Sequence, residues 1–137
     1  LKIVNLRFYN MKKILILIFC IFTFSGYAKE TTFNKNLFNK AQLDGKIVIV
    51  SSWIKYCSSC ASQMKVLKKA KNEGELQDIK FDNIEYFSFD VTNKEIADLF
   101  DVKYQTTLLI FKDNIEVYRS IGETTKDLIY EAIKTSI

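Results

Sequence analysis

The chain has 137 residues, enough for one domain and too few for two ordinary ones. Its 48% apolar and 26% charged residues are a globular balance, and 20 Lys+Arg against 16 Asp+Glu give a formal charge of +4. With no histidine it offers no imidazole base and no His-ligated zinc or haem, and with no proline it has no turn built on a proline's cis preference.

The first segment reads as a leader. Met11-Lys-Lys13 opens a basic region, Ile14 to Phe24 is an apolar run of 11 residues, and Ser25-Gly26-Tyr27-Ala28 places small residues before a cut after Ala28. A membrane span needs about 20 apolar residues, so a signal peptide over 1–28 is favoured over an anchor. Residues Leu1 to Asn10 precede a better start at Met11 and read as an over-extended gene start. Cys20, preceded by Phe19, sits in a poor lipoprotein site and reads as one more apolar residue of the leader. Of the 20 bases, Lys2, Arg7, Lys12 and Lys13 lie in the leader, which has no acid; 16 bases remain against 16 acids over 29–137. The expected mature domain is therefore neutral, with nothing basic to grip nucleic acid, and it keeps two cysteines, Cys57 and Cys60. The expected location is periplasmic or otherwise exported, where disulfides form and are exchanged.

Along 29–137 no repeat or linker interrupts the chain. Phe33, Leu37, Phe38 and Ala41 stand at helical spacing over 33–42. Asp44-Gly45 precedes Lys46-Ile-Val-Ile-Val50, the pattern of a buried central strand. From Ser58 to about Asn72, Cys60, Met64, Leu67 and Ala70 share one helix face while Lys65, Lys68, Lys69 and Lys71 take much of the remainder. Gly74 is a plausible stop. Ile84–Asp90 reads as a second strand, and Asn93 as the cap of a short helix carrying Ile96, Leu99 and Phe100. Thr107–Phe111 is a third strand, Asp113-Asn114 a tight turn, and Glu116–Ile121 a fourth strand. A closing helix from Thr125 buries Leu128, Ile129, Ala132 and Ile133. A βαβ half followed by a ββα half gives an α/β fold: a central mixed sheet flanked by helices on both faces.

The chemistry lies in Cys57-Ser-Ser-Cys60, at a strand-to-helix junction. Cys57 stands near the helix N-terminus, where unpaired N–H groups and the dipole favour a thiolate, and Lys55 adds positive potential. Cys60, one turn in on the apolar face, is expected to be buried and protonated. That split provides an exposed nucleophile and a sheltered resolving thiol. A lone Cys-x-x-Cys also fits half of a zinc site or a static local disulfide. Zinc needs four ligands, and no further Cys pair or His is present. A disulfide closing so short a loop constrains little of the unfolded chain, so redox use is the favoured reading.

Taken together, Ile47–Val50, Trp53, Cys57-Ser-Ser-Cys60, Phe89-Asp90-Val91, Val102-Lys-Tyr-Gln-Thr-Thr-Leu-Leu-Ile-Phe-Lys-Asp113 and Gly122 resemble the thioredoxin family from about Gly45 to the C-terminus. The resemblance implies a thioredoxin-like fold and an exported thiol–disulfide oxidoreductase acting on protein thiols and disulfides. In it Cys57 attacks, Cys60 resolves, and Trp53, Tyr56, Gln105 and Thr106 shape the site. It implies no organic cofactor, because the cysteine pair carries both electrons, and no resident metal. Expected partners are protein thiols and disulfides, with a membrane electron donor as a candidate, and the domain is expected to be a monomer. With no inserted helical domain of the kind that oxidases of this fold carry, reductase work is favoured over disulfide formation. A soft-metal module holding Cu(I) on Cys57 and Cys60, with Met64 as the nearest further soft ligand, is the alternative; a redox-inactive adaptor is another.

Three departures from the family pattern stand out. Ser58-Ser59 replaces the residues that tune thiolate stability. Ser51 stands where relatives keep a buried aspartate as proton acceptor for the resolving cysteine. Thr106 replaces the proline whose cis peptide faces the cysteines. A cis bond before a non-proline costs about 3–4 kcal/mol, so a trans peptide is favoured there. The Thr106 hydroxyl would then lie near the sulfurs, able to hydrogen-bond the Cys57 thiolate; the alternative is a solvated loop residue.

Overall fold

The computed structural model describes residues 31–72 and 83–136. The leader expected over 1–28, with Cys20, and the helix stop at Gly74 lie outside the described residues. The elements run β1 (Thr31–Thr32), α1 (Lys35–Leu43), β2 (Ile47–Trp53), α2 (Ser58–Asn72), β3 (Ile84–Asp90), α3 (Lys94–Leu99), β4 (Thr107–Lys112), β5 (Ile115–Ile121) and α4 (Lys126–Thr135). They form one five-stranded sheet in the order β1-β3-β2-β4-β5. β1 and β2 both pair parallel with β3, whereas β4 runs antiparallel to both β2 and β5.

The continuous apolar run of β2 follows from its central place. Ile47 and Ile49 face a layer with Leu67 of α2, Leu108 and Ile110 of β4, and Ile129 and Ile133 of α4. Val48 and Val50 face the opposite layer, with Ala41, Phe87, Phe89, Phe100 and Phe111. A strand buried on both faces has no polar alternation to show. The second layer is aromatic: Phe38 meets Phe87, Phe100 and Phe111 at ring separations of 6.2, 5.4 and 5.3 Å, all edge-on.

Local signals act as their chemistry demands. Asn34 caps α1, its Oδ1 accepting from Leu37 N at 3.1 Å, and Asn93 caps α3 by accepting from Ile96 N at 3.4 Å. Asp113 and Asn114 both adopt positive φ, 52° and 64°, in the β4–β5 turn.

Three expectations need correction, and one strand had no counterpart among them. Phe33 precedes α1 and packs onto Phe100 from an extended segment, and Leu37 is 49% exposed. β2 runs three residues past Val50, because the hydroxyls of Ser51 and Ser52 are paired inside the protein. Leu128 is 49% exposed, and Tyr130 takes its place among the buried residues of α4. The two-residue strand β1 carries no pattern long enough to be read.

Candidate active site

The site sits at the C-terminal end of β2, where the chain leaves the sheet through Ile54–Tyr56 and enters α2. Tyr56 makes the corner with a φ of 62°, its ring wholly exposed. Cys57 then serves as the N-cap of α2: its carbonyl accepts from Ala61 N at 3.1 Å and its Sγ accepts from Cys60 N at 3.1 Å. The sulfur therefore lies against the unpaired N–H groups of a 15-residue helix, a position that favours negative charge. Cys57 and Cys60 are joined in a disulfide. Cys60 is 2% exposed, as the spacing led us to expect, whereas Cys57, expected to be exposed, is half-buried. An open groove of about 650 Å³ runs alongside, lined by Trp53, Ile54, Lys55, Tyr56, the two cysteines and Met64.

Thr106 faces the disulfide from the loop before β4. Its peptide is trans, since the described residues contain no cis bond, and its φ is 60°. That region is unfavourable for a β-branched residue, so the loop must be held by its surroundings. Thr106 N donates to Ser52 O at 2.9 Å, and Thr106 O accepts from Gly122 N at 2.9 Å. Ser52 Oγ donates to Tyr104 O at 2.9 Å and accepts from Thr107 N at 3.0 Å. So anchored, Thr106 is 2% exposed and is not a solvated loop residue. Its Oγ1 lies 3.2 Å from Cys60 Sγ, 3.6 Å from Cys57 Sγ and 3.0 Å from Ser59 Oγ. The hydroxyl expected beside Cys57 is thus closer to Cys60. Gln105, next to it, points out as an exposed residue at the rim.

A scan of family models matches the thioredoxin model over residues 27–135. The chain belongs to the thioredoxin family. Among solved structures it is similar to Trxlp from Edwardsiella tarda EIB202, at 25% identity and a TM-score of 0.66 over 75% of this chain and 96% of that one. A thioredoxin from Halobacterium salinarum NRC-1 gives 18% identity and a TM-score of 0.63, covering 78% and 88% of the two chains. The thioredoxin of Fasciola hepatica gives 22% and 0.57, covering 75% and 90%. The last two likenesses speak to fold alone. No curated protein matches. A thioredoxin domain whose Cys-x-x-Cys pair forms a disulfide is a thiol–disulfide oxidoreductase.

Within this thioredoxin-family domain, Ser51 is fully buried and its Oγ lies 2.7 Å from Tyr86 Oη. The nearby carboxylates are occupied elsewhere. Asp90 accepts from Thr92 N at 2.9 Å and Thr92 Oγ1 at 2.7 Å; these bonds, with Lys55 adding positive charge, hold its carboxyl below the ordinary value. Glu123 accepts from Thr125 N, Thr125 Oγ1 and Thr124 N at 3.0, 2.9 and 3.0 Å, and the first of these does most to lower its carboxyl.

The residue missed by the sequence reading is Gln63. It is fully buried, one turn after Cys60, and its Nε2 donates to Thr106 O at 3.3 Å and Glu123 O at 2.8 Å. It ties the Thr106 loop and the start of the last helical segment to α2. Its Oε1 is buried without a hydrogen-bond partner among the described residues. Met64, expected on the buried face, is half-buried and turned to the groove.

Proposed function

We propose that this chain is an exported reductase of protein disulfides, with Cys57 as the attacking and Cys60 as the resolving cysteine. The observation that carries it is the unequal burial of the two sulfurs: one at a helix N-terminus beside an open groove, the other sealed behind it. In the reduced protein the Cys57 thiolate attacks one sulfur of a substrate disulfide and expels the other as a thiolate. Cys60 then attacks Cys57, closing the pair and releasing the second substrate thiol. A dithiol donor outside this chain, of which a membrane protein is one candidate, reopens the pair. The two electrons travel in the cysteines, so the cycle uses no organic cofactor, and the domain works as a monomer. Export rests on the basic-apolar-small pattern of residues 11–28. Trp53 and Tyr56 at the groove, with Gln105 at the rim, offer the substrate its contacts.

Trapping tests this reading. A Cys60→Ser variant, produced with the full leader, is expected to hold substrate proteins on Cys57 as mixed disulfides outside the cytoplasmic membrane. Cys57→Ser is expected to hold none. No trapped protein, together with a pair that thiol alkylation always finds reduced in cells, would sink the proposal.

A further inference from the structure

The geometry points to a proton relay through two hydroxyls, Thr106 and Ser59, that connects the buried thiol of Cys60 to solvent and serves this thioredoxin in place of a carboxylate base. The inference rests on the oxidoreductase reading and adds the route taken by the resolving proton.

The problem is set by burial. To attack the mixed disulfide, Cys60 must lose a proton from a position 2% exposed, where a bare thiolate is costly. The other polar side chains around the site offer no ready base. Ser51 is engaged with Tyr86, and Gln63 presents an amide whose donors are spent on two carbonyls. The Glu123 carboxylate binds the Thr124–Thr125 turn, Asp90 binds Thr92, and Lys55 stands at the groove as a cation. Among the described residues, the side-chain groups hydrogen-bonded to the sulfurs are the hydroxyls of Thr106 and Ser59.

These hydroxyls form a line. Cys60 Sγ is 3.2 Å from Thr106 Oγ1, which is 3.0 Å from Ser59 Oγ, and Ser59 is exposed. Each hydroxyl can accept one proton while giving up its own, so neither needs to ionise in the resting state. In the resolving step the Cys60 S–H bond breaks and its proton passes to Thr106 Oγ1. The Thr106 proton moves to Ser59 Oγ, and the Ser59 proton leaves to water. The freed Cys60 electron pair forms the bond to Cys57. The bond between Cys57 and the substrate sulfur breaks with its pair on the substrate, which takes a proton from water. The cysteine pair is oxidised by two electrons and the substrate disulfide is reduced by two. Thr106 plays a second part as a donor that stabilises the Cys60 thiolate. Its strained backbone, held by Ser52, Gly122 and Gln63, is what places the hydroxyl there.

The test separates attack from resolution. Reduced full-length protein is mixed with glutathione disulfide, quenched in acid at intervals, and the Cys57–glutathione adduct is resolved by mass from the closed pair. Attack is measured alone in a Cys60→Ser background. Thr106→Val is expected to slow release of glutathione by about 100-fold and to move the pH midpoint of release upward, well beyond any change in attack by Cys57, whose Sγ lies farther from the hydroxyl, at 3.6 Å against 3.2 Å for Cys60. Thr106→Ser should restore both. Ser59→Ala, at an exposed site that the fold tolerates, should slow release by about tenfold without moving the midpoint, because the Thr106 donor remains. It decides the matter even if Thr106→Val fails to fold. If the wild type forms neither the adduct nor the closed pair, the oxidoreductase reading falls and the relay with it. If the wild type forms and clears the adduct, and Ser59→Ala clears it at the same rate, the relay alone is overturned. A Thr106→Val variant that folds and keeps the wild-type rate and profile also overturns it.

Discussion

Over Ile47–Val50, strand β2 sends aliphatic side chains alternately into two apolar layers, whereas over Ser51–Trp53 the same strand, just as deep at its two serines, carries hydroxyls. At the first end the neighbours are Leu109, Ile110 and Phe111 of β4; at the second they are Tyr86, Tyr104 and the Thr106–Thr107 peptide. The first end supplies hydrophobic free energy in proportion to the area hidden. The second supplies little of it, because a buried hydroxyl must recover in hydrogen bonds what it loses in hydration. What the polar end gains is position: the bonds of Ser52 fix the loop that faces the disulfide. Damage at one end should therefore appear as stability and damage at the other as chemistry.

The largest separation of the two should come from Phe87→Ala. Phe87 is 1% exposed and touches both Phe33 and Phe38, so truncation is expected to lower stability by about 3–5 kcal/mol. Chemical denaturation measures this. The exchange rate per folded molecule should be unchanged, since none of the described residues of the aromatic layer lines the groove at the cysteines. A loss of exchange matching or exceeding the loss of folded protein would show that the two ends are coupled.

Gln63→Met should give the opposite pattern at smaller amplitude. Methionine fills a similar volume and removes the orphaned Oε1, but it leaves Glu123 O without its donor and frees the Thr106 loop from α2. The bared Glu123 carbonyl and the relieved Oε1 offset each other, and the two lost amide hydrogen bonds leave an expected loss of stability of about 1–3 kcal/mol. Release of substrate from the mixed disulfide should slow while attack by Cys57 does not. Equal slowing of both steps would place Gln63 in general support of the fold and deny it a role in positioning Thr106.

The same contrast explains what could be read from residues alone. The apolar end was legible because burial on two faces leaves a run such as Ile-Val-Ile-Val. Asn34 and Asn93 announced helix starts by side-chain chemistry, although only Asn93 was read as a cap. The cysteine pair was legible because its spacing and its place before an amphipathic helix carry the chemistry themselves. The polar end was not. Ser51 and Ser52 look like the end of a strand until their partners, 35 and more residues away, are in place. Gln63 and Met64 flank the Cys60 face of α2 at about 100° per residue, and hydropathy chose the methionine. The protein instead buries the amide, because two loop carbonyls arrive there from the other end of the chain. Thr106 was noticed through its departure from a family pattern, yet its preference for Cys60 over Cys57 follows from a backbone conformation that no local signal predicts.

The smallest effect expected is the acid response of the polar end. Glu123 and Asp90 both have carboxyls held below their ordinary values, chiefly by backbone N–H groups of Thr125 and Thr92. A carboxyl lowered in the folded state contributes stability that is fully present above its unfolded value and is lost as pH falls through the folded one. Stability should thus be flat near neutrality and decline only in the acid range, below the ordinary carboxylate values. Both groups are only partly buried, so the contribution is small and weakens with salt. Glu123→Gln should flatten part of that decline while costing a little stability at neutral pH, because an amide oxygen accepts the Thr125 N–H less strongly than a carboxylate does. Thermal melts from neutral to acid pH, at low and high salt, measure both slopes. A variant whose acid decline equals that of the wild type would mean that the turn at Thr124–Thr125 is held by its own backbone, and that Glu123 merely follows it.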